Sequence, residues 1–149
     1  MAVVRVYLPV GRDDLASLAS TGALAASTDS PLPAYAVTPA LTATAPGLDV
    51  EDLEFAAFSD AVVAAGARRS APGHRRVVAA ADADPAWVQA GGGDPASVVG
   101  LVAPVPLGRV ASFHVDEESS DGDDDAEEEA AELLWYDVTE LDDVCGFLG

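Results

Sequence analysis

An acidic segment near the C-terminal end of the sequence separates two parts that must fold differently from it. Residues 116–149 hold 15 of the 26 acidic residues and none of the seven basic ones. Between residues 116 and 132 the only apolar side chains are alanines, and a run of this charge repels itself too strongly to form a core. We therefore predict an α+β body over residues 1–115, an acidic, disordered linker over 116–132, and a C-terminal element over 133–149 that docks on the body.

The rest of the composition indicates one globular domain in a reducing compartment. Half of the 149 residues are hydrophobic, which is enough for a single core. The longest apolar stretches fall short of the roughly 18 residues that a membrane span requires, and no secretion signal is visible. Cys145, the only cysteine, excludes an internal disulfide. We expect a cytoplasmic protein that does not bind membranes.

Hydrophobic patterning in the body predicts an α+β fold, with a mixed β-sheet of about five short strands and two to four helices packed on it. The strand-like runs cover residues 3–8, 34–38, 77–81, 98–102 and 110–115. Residues 84–95 are rich in Gly and Asp, which predicts a hairpin-like excursion or a loop around Trp87. Asp13 and Gly22 are the predicted start and end signals of a short helix.

The clearest helix covers residues 50–65. Asp49 is a suitable N-cap, and Gly66 provides the C-terminal stop. Helical spacing predicts a buried stripe formed by Phe55, Phe58, Val62 and Ala65, with Ala57 and Ala61 beside it.

The C-terminal element contains the densest aromatic pair of the sequence, Trp135 and Tyr136. Residues 133–137 favour an extended strand, and Thr139 is a suitable cap for a last helix that carries Leu141, Val144 and Cys145. We interpret Trp135 as a core residue that fixes this element to the body. The alternative is an exposed platform on which a ligand stacks.

The net charge of −19 limits the partners that the protein can attract. Such a field repels nucleic acid and anionic membranes, and it attracts metal cations or a basic protein surface. The only basic cluster comprises Arg68, Arg69, Arg75 and Arg76. These arginines can contact an anion or a partner carboxylate through two parallel hydrogen bonds, or they can pair with the protein's own acidic segment.

The standard catalytic motifs are absent from the sequence. It has no Gly-x-Ser-x-Gly turn, no lysine for a phosphate-binding loop, and no dinucleotide spacing around residues 91–93. His114 and Asp116 are two residues apart on a strand and could share a metal, although a catalytic zinc needs three protein ligands. The sequence therefore predicts no catalytic, cofactor or metal site.

The second hypothesis for a metal site is a calcium-binding loop in the acidic segment. Acidic residues occupy the ligand offsets of a twelve-residue loop, among them Asp121, Asp123, Asp125 and Glu132. However, Ala126 stands where such a loop requires glycine, and any run this acidic would match the offsets. A solvated linker accounts for the same residues without a metal.

Two functional hypotheses remain open from the residues alone. The first is a non-enzymatic interaction or regulatory protein with an acidic surface and a basic partner. The alternative is a small enzyme or ligand-binding domain that uses His114 and Asp116 with Asp82 and the Arg75 and Arg76 loop. The two hypotheses differ in whether these residues share one pocket.

Six segments together resemble a known family over nearly the whole length of the sequence. They are Arg5-Val-Tyr-Leu-Pro9, Tyr35-Ala-Val-Thr-Pro-Ala-Leu41, Asp52-Leu-Glu-Phe-Ala-Ala57, Arg75-Arg-Val-Val78, Pro104-Val-Pro-Leu107 and Leu134-Trp-Tyr-Asp-Val-Thr-Glu-Leu141. The set is similar to a family of uncharacterised actinobacterial proteins that is catalogued as a domain of unknown function. The resemblance implies no activity, cofactor or catalytic residue.

Overall fold

The structure, a computed structural model, describes residues 3–66, 75–90, 95–116 and 133–147. The α-helices of this part of the chain are α1 (Arg12–Thr21), α2 (Pro39–Thr44), α3 (Val50–Gly66) and α4 (Leu141–Phe147). The strands are β1 (Val4–Val10), β2 (Ala23–Leu24), β3 (Leu32–Tyr35), β4 (Val77–Ala83), β5 (Val88–Ala90), β6 (Val98–Leu101), β7 (Val105–Pro106), β8 (Val110–Val115) and β9 (Leu134–Asp137).

Seven of these strands form one sheet in the order β5-β6-β3-β1-β4-β8-β9, and β2 pairs with β7 in a separate two-stranded ribbon. Every neighbouring pair in the large sheet is antiparallel. The prediction of an α+β fold is confirmed, but the prediction of a mixed sheet of about five strands is wrong. Strand direction depends on how distant segments pair, and hydrophobic alternation within one segment carries no information about it.

Part of the larger sheet comes from the segment for which the sequence predicts a hairpin-like excursion or a loop, and the antiparallel pairing of β5 with β6 fits the first of these. Residues 84–95 contain a short 3₁₀ turn, Pro85–Trp87, followed by β5 at the edge of the sheet. Asp84 starts this turn, because its carboxylate accepts a hydrogen bond from the N–H of Ala86 at 2.9 Å. A three-residue strand is too short to show the alternation by which strands are predicted from sequence.

The two faces of the sheet bury different helices. On one face, which we call the α1 face, Val6, Leu8 and Phe113 are fully buried against α1, α4 and the β2–β7 ribbon. On the opposite face, which we call the α3 face, Tyr35 and Val78 pack against α3 and against Leu41 of α2. Since successive side chains of a strand point to opposite faces, each strand contributes residues to both layers.

Helix α1 begins and ends at glycines. The N–H of Gly11 donates to Oδ2 of Asp14 at 2.8 Å, so the capping carboxylate is Asp14 and the prediction of Asp13 is wrong. Gly22 takes a left-handed φ of 80°, as predicted for the residue that ends the helix.

Helix α3 has the predicted position and cap, and two residues of its predicted stripe, Val62 and Ala65, are buried. The N–H of Asp52 donates to Oδ1 of Asp49 at 2.9 Å. Phe55 is 53% exposed, so the prediction that it belongs to the buried stripe is wrong, and Phe58 is half-buried at the side of the helix. The buried residues of the helix are Leu53, Ala57, Ala61, Val62 and Ala65. Alanines at four-residue intervals let the helix approach the sheet closely, which displaces the larger phenyl rings to its flank.

Several predicted features lie outside the described residues. They comprise the linker from residue 117 to 132, the calcium-loop candidates Asp121, Asp123, Asp125 and Glu132, and the arginines Arg68 and Arg69. Among the helices that the structure does describe, none has the length and apolar character needed to cross a membrane.

Candidate functional site

A cleft opens on the α3 face of the sheet, between α3 and β9. Helix α3 packs on β1, β3 and β4, whereas β8 and β9 lie beyond β4 in the strand order. The helix therefore lies mainly over β1, β3 and β4, and it reaches β8 through the contact of Phe58 with His114. The cleft has a volume of about 470 Å³, which lies within the range of small-ligand sites. We call it the Trp135 cleft; its lining residues are Arg5, Tyr7, Glu51, Glu54, Phe55, Phe58, Ala80, Ser112, His114, Leu133 and Trp135.

The floor of the Trp135 cleft is a depression in the sheet over Ala80. The strand register places Tyr7, Ala80 and Ser112 side by side across β1, β4 and β8. Because alanine has only a methyl side chain, the larger neighbours rise around it and leave space above it.

The floor also contains a serine and a histidine in contact. Ser112 is buried, and its Oγ lies 3.1 Å from Nε2 of His114, two residues along β8. The imidazole packs edge-on against Phe58, with ring centroids 5.0 Å apart. Burial, together with the nearby positive charge of Arg5, lowers the pKa of His114 below its usual value. The imidazole is therefore neutral near pH 7.

One end of the Trp135 cleft carries an ion pair. Nε of Arg5 donates to Oδ1 of Asp82 at 2.8 Å, across the β1–β4 pair. The two side chains are 39% and 37% exposed. The hydrogen bond to Asp82 raises the pKa of Arg5, so the guanidinium stays charged. The positive charge of the floor is thus already balanced by a carboxylate.

The walls of the Trp135 cleft combine exposed aromatic rings with carboxylates. Helix α3 contributes Glu51, Glu54 and Phe55 on one side, and Trp135 lies on the other. Trp135 pairs with His114 across the β8–β9 register. It is 61% exposed, so the interpretation of this residue as a core anchor is wrong. The reason is its register: Trp135 points to the α3 face, where no described helix covers β9, while Tyr136 points to the α1 face and packs on its core.

The electrostatic influence of Glu54 extends to the floor. Burial and the negative charge of Glu54 together raise the pKa of Tyr7, with burial the larger cause. Within the described residues neither Glu51 nor Glu54 forms an ion pair. Since Asp82 already balances Arg5, the cleft has an excess of about two negative charges at neutral pH.

The residues of the enzyme hypothesis are divided between two places. His114 lines the Trp135 cleft. Asp82 does not line it, but it accepts a hydrogen bond from Arg5, which does. Asp116 instead binds Arg76, with Nε–Oδ2 and Nη2–Oδ1 distances of 2.8 Å and a third bond from the Arg76 backbone N–H at 2.7 Å. Asp82 lies six positions after Arg76, which corresponds to roughly 20 Å along the extended chain.

The described residues also contain no group of three or more His, Cys, Asp or Glu side chains that could hold a metal. Arg75, which directly precedes Arg76 in the sequence, is half-buried. Ser112 and His114 resemble the first two members of a hydrolytic triad, but among the described residues no carboxylate hydrogen-bonds to His114 to orient it. The floor of the cleft is thus polar, with Ser112 and His114 in contact.

Sequence reasoning singled out only two residues of the Trp135 cleft, His114 and Trp135. It missed Arg5, Tyr7, Glu54 and Ser112 as members of one site. The sequence did contain a signal for Arg5 and Tyr7. In β1 they alternate with buried residues, so their side chains must lie together on the opposite face of the strand. The position of that face relative to α3 is a property of the tertiary structure.

The fold and the cleft define a small α+β protein with a ligand-sized, acidic and aromatic cleft on one face of an antiparallel sheet. The comparison with protein families agrees with the resemblance seen in the sequence, because the family of unknown function DUF6912 matches residues 4–145. The chain belongs to this family. No curated protein and no solved structure shows significant similarity to the chain.

Proposed function

We propose that this protein is a non-enzymatic interaction module that binds a basic segment of a partner protein in the Trp135 cleft. The observation that carries the proposal is the exposure of Trp135 and Phe55 in a cleft that also presents Glu51 and Glu54. Exposed aromatic faces next to carboxylates attract cationic groups through both cation–π and charge interactions. An anionic ligand would instead meet two carboxylates and an arginine that is already paired.

The charge of the whole chain supports the same class of partner. With a net charge of −19 the protein attracts basic surfaces and repels nucleic acid. Its single cysteine supports a cytoplasmic location. Lysine, isoleucine and asparagine, which share AT-rich codons, are absent; this supports a GC-rich genome and is consistent with an actinobacterial origin.

Calorimetry with three matched peptides tests this proposal. The first is a short Gly/Ser peptide with alternating arginine and lysine, and in the other two Glu or Gln replaces the basic residues. We expect binding of the basic peptide only. The double variant Glu51→Gln/Glu54→Gln should weaken it by about tenfold, because each partly exposed ion pair contributes up to about 1 kcal/mol.

The matched control is the double variant Asp13→Asn/Asp29→Asn, which removes the same charge at two exposed positions that do not line the cleft. It should bind the basic peptide almost as the unaltered protein does. Equal losses of affinity in the two double variants would refute a site in the cleft. They would show that the peptide responds only to the overall negative charge of the protein. Comparable binding of all three peptides would refute a cationic partner.

A further inference from the structure

We propose that the Trp135 cleft recognises arginine in preference to lysine, with the guanidinium of the ligand stacked on Trp135 and paired with Glu54. This inference rests on the proposed function and specifies the chemistry of the group that enters the cleft. It follows from three properties of the cleft: its unbalanced carboxylates, its exposed indole face and its apolar side walls.

The charges of the cleft select a cation. Arg5 is bound to Asp82 at 2.8 Å, so it is not available to an anionic ligand without breaking that pair. Glu54 is partly buried and lies close enough to Arg5 and Tyr7 to act on both electrostatically. Its carboxylate has no ion-pair partner within the part of the chain that the structure describes. A ligand cation supplies that partner.

The aromatic residues favour a flat cation over a compact one. Trp135 is the most suitable ring for a cation–π contact, and 61% of it is accessible. A guanidinium is planar, weakly hydrated and able to stack on such a ring while it donates two parallel hydrogen bonds to a carboxylate. An ammonium retains its water more strongly and makes a single-point contact.

The size and lining of the cleft also suit a long side chain. The volume of about 470 Å³ exceeds that of one guanidinium, so the stem of the ligand side chain can enter as well. Phe55 and Phe58 of α3 and Leu133 before β9 line its sides. The methylene groups of an arginine can lie along these apolar surfaces while the charged end reaches Glu54.

Trp135 itself provides the readout. The sequence has two tryptophans, so the Trp87→Phe variant leaves Trp135 as the single fluorophore. The probes are Gly/Ser peptides that are identical except at one central position, which is arginine, lysine or citrulline. Citrulline keeps the shape of arginine and lacks its charge. We expect the arginine peptide to change the Trp135 emission and to bind about tenfold more tightly than the lysine peptide, and we expect no binding of the citrulline peptide.

Two variants separate recognition from loss of folding. Glu54→Gln should reduce the preference for arginine over lysine, and Asp29→Asn, an exposed position away from the cleft, should leave it unchanged. Equal affinity for arginine and lysine overturns this inference and leaves the proposed function intact. Binding of citrulline as tight as that of arginine also overturns it, because charge would then be irrelevant. If neither basic peptide binds, the proposed function itself fails.

Discussion

Trp135 shows how the register of one strand decides the role of a side chain. Trp135 and Phe113 lie on adjacent strands, β9 and β8, yet Phe113 is fully buried on the α1 face and Trp135 is largely exposed on the α3 face. A shift of the β8–β9 register by one residue would exchange the faces of Trp135 and Tyr136. The exposed indole is thus a consequence of strand pairing.

We predict that Trp135→Ala costs little stability. A largely exposed side chain contributes mainly its cross-strand contact, here with His114, so the free energy of unfolding should fall by no more than about 1 kcal/mol. Phe113→Ala is the matched comparison and should cost about 3–5 kcal/mol, as expected for a fully buried ring. Both values come from urea denaturation followed by circular dichroism. A loss for Trp135→Ala as large as that for Phe113→Ala would mean that the indole is buried in solution.

At the scale of elements, two ion pairs join β4 to neighbouring strands, and they differ in how deeply they are buried. Arg76 and Asp116 connect the start of β4 to the end of β8, and Arg76 is only 3% exposed. Its Cδ lies 4.0 Å from the position that a Cβ on Gly66 would occupy, at the end of α3. Arg5 and Asp82 form the more exposed pair, at the opposite end of β4.

We predict that Asp116→Ala destabilises the protein far more than Asp82→Ala. The first change removes a carboxylate that accepts two hydrogen bonds from the buried Arg76 guanidinium and one from its backbone N–H, which should cost more than about 2 kcal/mol. The second breaks a pair whose side chains are more than one-third exposed, which should cost about 1 kcal/mol or less. Thermal unfolding of the two variants and of Arg76→Met/Asp116→Leu measures the difference. The double variant should recover part of the lost stability, because the charge that Asp116 balanced is removed together with Asp116. Similar losses for the two single variants would show that burial does not distinguish the pairs.

The elements of the fold were more predictable from the sequence than their arrangement. The capping signals of α3 and the apolar pattern of β8 are local, so Asp49 was assigned correctly to a cap and residues 110–115 to a strand. Arg5 and Asp82 are 77 residues apart. Their contact depends on how β1 pairs with β4, which the whole sheet determines.

The same limit explains the error in α3. Helical spacing defines which residues share a face, but it cannot decide between a stripe of phenylalanines and a neighbouring stripe of alanines when both are apolar. The sheet decides in favour of the smaller side chains, Ala57 and Ala61, which permit close packing. Phe55 is then placed beside the sheet, where it forms a wall of the Trp135 cleft.

At the scale of the whole molecule, two sources of negative charge act over different distances. In the proposed complex Glu51 and Glu54 contact the ligand in the cleft. The second source is the segment that joins β8 to β9, the strand that bears Trp135; residues 117–132 of this segment include ten acidic residues. A carboxylate that contacts the bound cation holds it, whereas a carboxylate that does not contact it acts through its field, within the screening length of about 8–10 Å at ordinary salt. The two sources should therefore affect different rate constants.

We predict that the acidic segment accelerates the association of a basic peptide without prolonging its binding. In the test variant, Ser and Gln replace the ten acidic residues between 117 and 132, and stopped-flow fluorescence of Trp135 measures the binding of the arginine peptide. The association rate constant should fall by about tenfold at low salt and lose most of its salt dependence, because distant charges steer the encounter. The dissociation rate constant should stay close to that of the unaltered protein. Glu54→Gln should show the opposite pattern, with faster dissociation and a smaller change in association, since its carboxylate contacts the bound guanidinium. Equal association rates with and without the acidic residues would show that the segment takes no part in recognition and that the cleft alone selects its ligand.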